Sequence, residues 1–91
     1  MPKYVIERNI PRLGVLSPAE LQAASRRSNG VLRDLGPQVQ WVQSFVTGDK
    51  MYCVYNAADE EVVREHARRG GFPADSVARV LTMIDPTTAE G

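Results

Sequence analysis

Residues 39–57 read V-Q-W-V-Q-S-F-V-T-G-D-K-M-Y-C-V-Y-N-A, and this stretch decides the fold of the chain. Two runs rich in β-branched and aromatic residues flank Gly48 and Asp49, which is typical of an antiparallel hairpin with a two-residue turn. Gly at the first central position suits a type II′ turn. We therefore expect Thr47 to pair with Lys50 and the two strands to cover 39–47 and 50–57.

This register distributes the side chains between two faces of the hairpin, because cross-strand partners share a face. A three-residue loop over 48–50 would instead move Met51, Cys53 and Tyr55 to the opposite face. Neither face is fully polar, so we expect helices to cover one, and a ligand, a partner subunit or a second copy to cover the other. One predicted face carries Trp41, Gln43, Phe45, Tyr52, Val54 and Asn56, and the other carries Val42, Ser44, Val46, Met51, Cys53 and Tyr55.

The segment before the hairpin reads as a strand followed by a helix. Lys3–Asn9 alternates as a short strand. Ser17 and Glu20 form the capping-box pattern, which predicts a helix over Pro18–Leu35 that ends at a Gly-Pro pair. Gly30 inside this helix costs about 1 kcal/mol relative to Ala, so we interpret it as a point of close packing on the sheet.

The segment after the hairpin repeats the helix–strand order. Asp59 is placed to cap a second helix over 60–69, and a last strand is expected over 76–85, with a short tail from about 86. The order β-α-β-β-α-β predicts an α+β, ferredoxin-like fold, with a four-stranded antiparallel sheet and two helices on one face. We expect residues 1–91 to form a single domain.

Composition narrows the classes of function. Eleven Lys and Arg balance eleven Asp and Glu, so no net field draws the chain to nucleic acid or to a membrane surface. The single cysteine forms no internal disulfide, which fits a reducing compartment. The first residues do not resemble a signal peptide, and no apolar run approaches about 18 residues. We therefore expect a cytoplasmic protein.

His66 is the only histidine, and it falls on the inner stripe of the second predicted helix. A packed histidine and a metal ligand are both compatible with this position, because imidazole suits nickel, copper and zinc. The chain contains no C-x-x-C or H-x-x-x-H pattern, so one chain does not supply a closed tetrahedral site. Cys53 is best interpreted as a small core residue.

Two other residues suggest catalysis. Glu7 lies in the middle of a probable central strand, where it is either a general base or ligand, or a solvated charge at the rim. Pro2 would become an N-terminal secondary amine if Met1 were removed, as in tautomerases that begin with proline. This supports an alternative function, a small-molecule-binding dimeric enzyme that uses Pro2, although those enzymes repeat a β-α-β unit instead of splitting it around a hairpin.

Four stretches of the chain resemble a small bacterial family long classified as a domain of unknown function. They are Y-V-I-E-R, L-G-P-Q-V-Q-W-V-Q-S-F-V-T-G-D-K-M-Y-C-V-Y, R-E-H-A-R-R-G-G-F-P-A-D and I-D-P-T-T-A-E, and they span nearly all of the sequence. The family includes ferredoxin-like dimers described as nickel-binding proteins. The resemblance therefore implies a cytoplasmic homodimer that binds nickel for sequestration or sensing and catalyses no reaction.

The resemblance also implies a metal site. His66 in R-E-H-A-R-R-G-G is the first ligand that it suggests, and Glu65 and Glu61 join it as neighbours on the same helix. Water or a neighbouring molecule would complete the coordination shell. We expect affinity to fall below about pH 6, because protons compete with the metal for the imidazole.

Overall fold

The computed structural model describes residues 1–91 as a four-stranded antiparallel sheet with two helices. The strand order is β2-β3-β1-β4, and every neighbouring pair is antiparallel. This topology confirms the predicted ferredoxin-like α+β fold. The strands are β1 (Lys3–Asn9), β2 (Val39–Val46), β3 (Lys50–Ala57) and β4 (Ser76–Arg79), and the helices are α1 (Pro18–Leu35) and α2 (Glu60–Gly70).

The β2–β3 hairpin has the predicted two-residue turn, but Gly48 does not adopt the positive φ that a type II′ turn requires, so the predicted turn type is wrong. Val46 lies opposite Met51 and Phe45 lies opposite Tyr52. The backbone N–H of Thr47 donates to the carbonyl oxygen of Lys50 at 2.9 Å and closes the turn around Gly48 and Asp49. The three-residue loop is therefore excluded.

Farther from the turn, β2 contains a bulge that the sequence did not predict. Gln43 lies opposite Val54, but Trp41 lies opposite Tyr55, so Val42 has no partner. One extra residue inverts the alternation of side chains on the bulged strand. The prediction that Trp41 shares a face with Phe45 is therefore wrong: Trp41 packs beside the core on the side of the helices, and Phe45 points to the other side.

We call the covered side of the sheet the helix face; it carries Tyr4, Ile6, Arg8, Cys53 and Tyr55, all buried. Val62 and Val63 of α2 pack into the same core cluster. Burying an aliphatic side chain of this size contributes about 1.5–3 kcal/mol. This layer of apolar contacts holds α2 against the sheet.

Both helices begin as the sequence predicts. The Ser17 Oγ accepts from the backbone N–H of Glu20 at 3.1 Å, and the Glu20 carboxylate accepts from the N–H of Ser17 at 3.0 Å. An Asp59 carboxylate oxygen accepts from the N–H of Val62 at 2.9 Å and caps α2. Gly71 then ends α2 with a left-handed φ of 73°.

Two other predictions need correction. A Cβ added at Gly30 would meet no neighbouring atom within 4 Å, so this glycine does not mark close packing on the sheet. β4 ends at Arg79 and not at Asp85. It pairs only with β1, and the last backbone bond runs from the N–H of Val80 to the carbonyl oxygen of Lys3, where β1 itself begins. Beyond that point β4 has no neighbouring strand with which to pair.

The opposite side of the sheet, which we call the open face, has no helix over it. It carries Val5, Glu7, Phe45, Tyr52 and Val54, and the Phe45 side chain is 55% exposed. Neither α1 nor α2 combines the length and the apolar character that crossing a bilayer requires.

Candidate functional site

His66 lies in the core between the two helices. Its ring is fully buried, and its Nε2 is 2.9 Å from the Ser28 Oγ on α1. The rings of Tyr55 and Phe72 lie 5.3 and 5.7 Å from the imidazole, centroid to centroid. The second ring nitrogen, Nδ1, is buried and has no hydrogen-bond partner.

The surroundings of His66 favour the neutral imidazole. Burial, and to a lesser extent the positive charge of Arg8, lower the pKa of His66 from 6.5 to about 4. A hydrogen bond with Ser28 opposes the shift in part. Neutral imidazole is the form that binds metal, so His66 has the correct protonation state for a nitrogen ligand at neutral pH.

The two predicted carboxylate ligands lie outside this core. Glu61 is exposed in the first turn of α2. Glu65 forms ion pairs with Arg68 and with Arg69, the latter at 2.7 Å. The predicted metal-ligating trio therefore shares a helix, but its side chains do not converge on one point.

A metal ion needs several donor atoms around one position, so the grouping of the possible donor side chains shows whether one chain can hold an ion. No group of three or more His, Cys, Asp and Glu side chains is arranged to hold an ion. In the tautomer in which Nε2 carries the ring proton and donates it to the Ser28 Oγ, the His66 Nδ1 is left unprotonated and without a partner. One chain thus supplies a single nitrogen ligand, the His66 Nδ1, and does not form a complete metal site.

A cavity with a largely apolar lining lies apart from His66, between α1 and the helix face of the sheet. Its volume is about 420 Å³, and more than half of its lining residues are hydrophobic. Asp and Glu are absent from the lining, whereas Arg8 and Arg27 are present. The apolar wall includes Leu13, Leu16, Leu21, Trp41, Val46 and Met51.

Arg8 is the unexpected residue of this cavity, because a charged side chain only 1% exposed is rare. Its Nε donates to the Cys53 Sγ at 3.4 Å and one terminal nitrogen donates to the Tyr55 hydroxyl at 3.3 Å. The other terminal nitrogen donates to the carbonyl oxygen of Pro73. Sequence reasoning missed this site, although the alternation of Tyr4, Ile6 and Arg8 already placed a charge on the apolar face of β1.

Arg8 opposes the effect of burial on the pKa of Tyr55. Burial, with a smaller contribution from the adjacent Cys53, raises the pKa of Tyr55 to about 12, although the Arg8 charge and hydrogen bond act to lower it. Tyr55 therefore stays a neutral hydroxyl at physiological pH. The Phe72 ring contacts two guanidinium groups, with the Arg8 and Arg27 carbons 5.6 and 4.8 Å from its centroid. These are distances at which a cation and an aromatic ring attract each other.

Neither predicted catalytic residue lines the cavity. Pro2 precedes β1, and its carbonyl oxygen accepts from the N–H of Ala57 at 2.9 Å. Glu7 lies on the open face, half-buried, with its carboxylate 3.5 Å from the Lys50 ammonium. Pro2 and Glu7 are thus separate from the cavity, and Glu7 lies on an interior strand, between Tyr52 of β3 and Ser76 of β4.

The chain is thus a small ferredoxin-like domain with a largely apolar cavity and one buried, neutral histidine. The model of the SCO4226-like nickel-responsive protein family matches residues 4–80, and the chain belongs to this family. The family resemblance predicted from the sequence is confirmed.

A solved structure supports the same fold. The chain is similar to the protein described in "Crystal structure analysis of SCO4226 from Streptomyces coelicolor A3(2)", with a TM-score of 0.76 and 18% identity. The alignment covers 90% of this chain and 99% of that chain. No curated protein matches the chain.

Proposed function

We propose that the protein binds a divalent transition metal, nickel in particular, and catalyses no reaction on it. The observation that carries this proposal is the match to a family of nickel-responsive proteins over residues 4–80. Binding of the ion would serve sequestration or sensing. Copper should compete in vitro, because affinity for divalent metals rises from nickel to copper.

His66 is our first candidate ligand. It is neutral at physiological pH, and its Nδ1 has no competing hydrogen bond. Glu61 and Glu65 remain the proposed carboxylate partners. For all three to reach one ion, the His66 ring would have to leave the core and Glu65 would have to exchange its arginine partners for the metal. We therefore expect modest affinity.

We further propose that the protein acts as a homodimer. Phe45 on the open face and Leu81, Met83 and Ile84 after β4 are large apolar side chains in contact with solvent, and Leu81 is 92% exposed. A second copy could cover these surfaces. It could also supply metal donors that a single chain lacks.

Calorimetry with a nickel salt tests the proposal. We expect wild type to bind, His66→Ala to lose most of the heat of binding, and Glu65→Gln to weaken it. Glu60→Gln is the matched control, since Glu60 is an exposed carboxylate on the same helix that pairs with Arg64 at 2.8 Å. Absence of binding in wild type would overturn the proposed function. Unchanged affinity in His66→Ala would remove only that ligand.

The cavity favours one part of the alternative function, namely binding of a small molecule. The proposed catalyst, the Pro2 amine, does not line the cavity, so its substrate would have to bind at another surface. Pro2→Ala should abolish turnover of a keto or enol acid if this enzyme exists. Equal turnover, or none in either protein, would leave metal binding as the proposed function.

A further inference from the structure

The cavity between α1 and the sheet combines an apolar wall with one deeply buried positive charge. We propose that it is a binding site for a small apolar carboxylic acid, whose carboxylate is received by the Arg8 guanidinium. This site is separate from the proposed metal ligands, because His66, Glu61 and Glu65 do not line the cavity.

The first argument is the missing counter-ion of Arg8. Its partners are a sulfur, a carbonyl oxygen and a hydroxyl group, none of them a carboxylate. A guanidinium has five N–H donors, so two of them have no acceptor in the protein. A buried charge without a partner is strongly unfavourable. An anion that enters the cavity would provide both the charge and the acceptors.

The carboxylates of Glu7, next to Arg8 in the sequence, and of Asp75, close to Asn9 in space, are engaged elsewhere. Glu7 points to the open face and pairs with Lys50. The Asp75 carboxylate accepts from the backbone N–H of Asn9 at 2.6 Å. No ion pair of the structure includes Arg8. Arg8 thus has three acceptors and an aromatic ring within the chain but no carboxylate to balance its charge.

The second argument concerns the shape and polarity of the space. A volume of 420 Å³ falls within the roughly 300–1,000 Å³ of sites for small molecules and is large enough to hold several water molecules. Leu13, Trp41 and Met51 belong to a wall that offers such waters few hydrogen bonds. An alkyl or aryl group would release them favourably.

A single carboxylate suits the site better than a phosphate group. Only one cation, Arg8, is buried there, and a monovalent anion balances it. Arg27 is exposed, and its Nε already donates to the carbonyl oxygen of Gly70 at 2.9 Å. The planar guanidinium also matches the two oxygens of a carboxylate.

Trp41 provides a direct probe, because it is the only tryptophan and it lines the cavity. The experiment titrates metal-free protein with octanoate or with octanol, and follows Trp41 emission together with calorimetry. We expect saturable octanoate binding and weaker octanol binding. Arg8→Met should reduce octanoate affinity about 10- to 100-fold, as loss of a charge-assisted hydrogen bond does. Octanol affinity should stay unchanged in this variant.

Arg33→Met serves as the control, because Arg33 is exposed on α1 and does not line the cavity. It should bind octanoate like wild type. The proposal is overturned if wild type shows no saturable response to octanoate, or if octanol binds as tightly as octanoate. It is also overturned if Arg8→Met retains wild-type affinity. If Arg8→Met does not fold, the comparison of octanoate with octanol binding to wild type still tests the proposal. Arg8→Lys then provides a second variant, which keeps the charge.

Discussion

The Nε2 of His66 and the Oγ of Ser28 lie 2.9 Å apart and join α2 to α1 inside the core. Both residues are buried, so water does not compete for this bond. Loss of the Ser28 hydroxyl would leave both imidazole nitrogens without partners, because Nδ1 already has none. The pair therefore links the packing of the helices to the protonation state of the histidine.

Ser28→Ala should lower the free energy of unfolding by about 1–3 kcal/mol, the cost of a buried polar atom without a partner. Urea denaturation measures this change. Ser25→Ala is the control, since Ser25 lies on the same helix and its hydroxyl donates only to the Leu21 carbonyl oxygen one turn earlier. An equal loss in both variants would contradict a special role for the pair.

Stability should depend on pH through His66. The pKa of His66 is lowered from 6.5 to about 4 in the folded protein, so the unfolded chain binds the proton first as pH falls. Above about pH 6.5 the ring is neutral in both states and the free energy of unfolding has its full value. Towards pH 4 protonation of the unfolded chain lowers the free energy of unfolding progressively, by at most about 3 kcal/mol. Denaturation of wild type and of His66→Phe at pH values across this range measures the difference.

The titration of the imidazole can also be observed directly by NMR, since His66 is the only histidine. A midpoint near 6.5 in the folded protein would show that the ring is not buried in neutral form. A midpoint near 4 would also revise the expectation that protons compete with metal below about pH 6, because competition at the buried ring would begin at lower pH.

Local patterns in the sequence predicted much of the fold. The hairpin turn and both helix caps depend on neighbours within three residues, such as Ser17 and Glu20. The bulge at Val42 depends on how β2 meets both β3 and α1, and V-Q-W-V-Q-S contains no residue that marks it. The end of β4 likewise depends on where β1, its only partner strand, begins. The apolar residues after Arg79 carry no information about that position.

The candidate site was less predictable for the same reason. The sequence placed His66 on the inner side of its helix, and it lies there. The distances from His66 to acidic side chains depend on side-chain orientation, and Glu65 turns to its own arginines. The burial of Arg8 arises from β3 and the Phe72 loop, which meet β1 only in three dimensions.

Two glycines in helices should respond oppositely to alanine. A Cβ at Gly70 would overlap the Phe72 ring, so Gly70→Ala should displace that ring and lower the free energy of unfolding by about 1–3 kcal/mol. Gly30 has open space around it, so Gly30→Ala should raise the free energy of unfolding by roughly 0.5–1 kcal/mol. Chemical denaturation measures both. Stabilisation by Gly70→Ala would contradict the close contact.

The open face should control association. Phe45→Lys places a charge where a second copy would have to bury it, so we expect a shift from dimer to monomer at micromolar concentration, measured by light scattering. Val15→Lys is the control, since Val15 is also exposed but lies in the loop between β1 and α1. A wild-type monomer would reject the dimer, and a dimer that persists in Phe45→Lys would locate the interface elsewhere.

The bulge at Val42 has a consequence for how relatives are aligned. Without Val42, Gln43 would still lie opposite Val54 and Trp41 opposite Tyr55, so deleting this one residue would remove the bulge and keep Trp41 on the helix face. A strand that kept the residue but paired it regularly would instead turn Val39 and Trp41 to the open face. A relative with a regular strand that is one residue shorter must therefore be aligned with a gap at Val42, because an alignment without the gap matches residues that face opposite sides of the sheet.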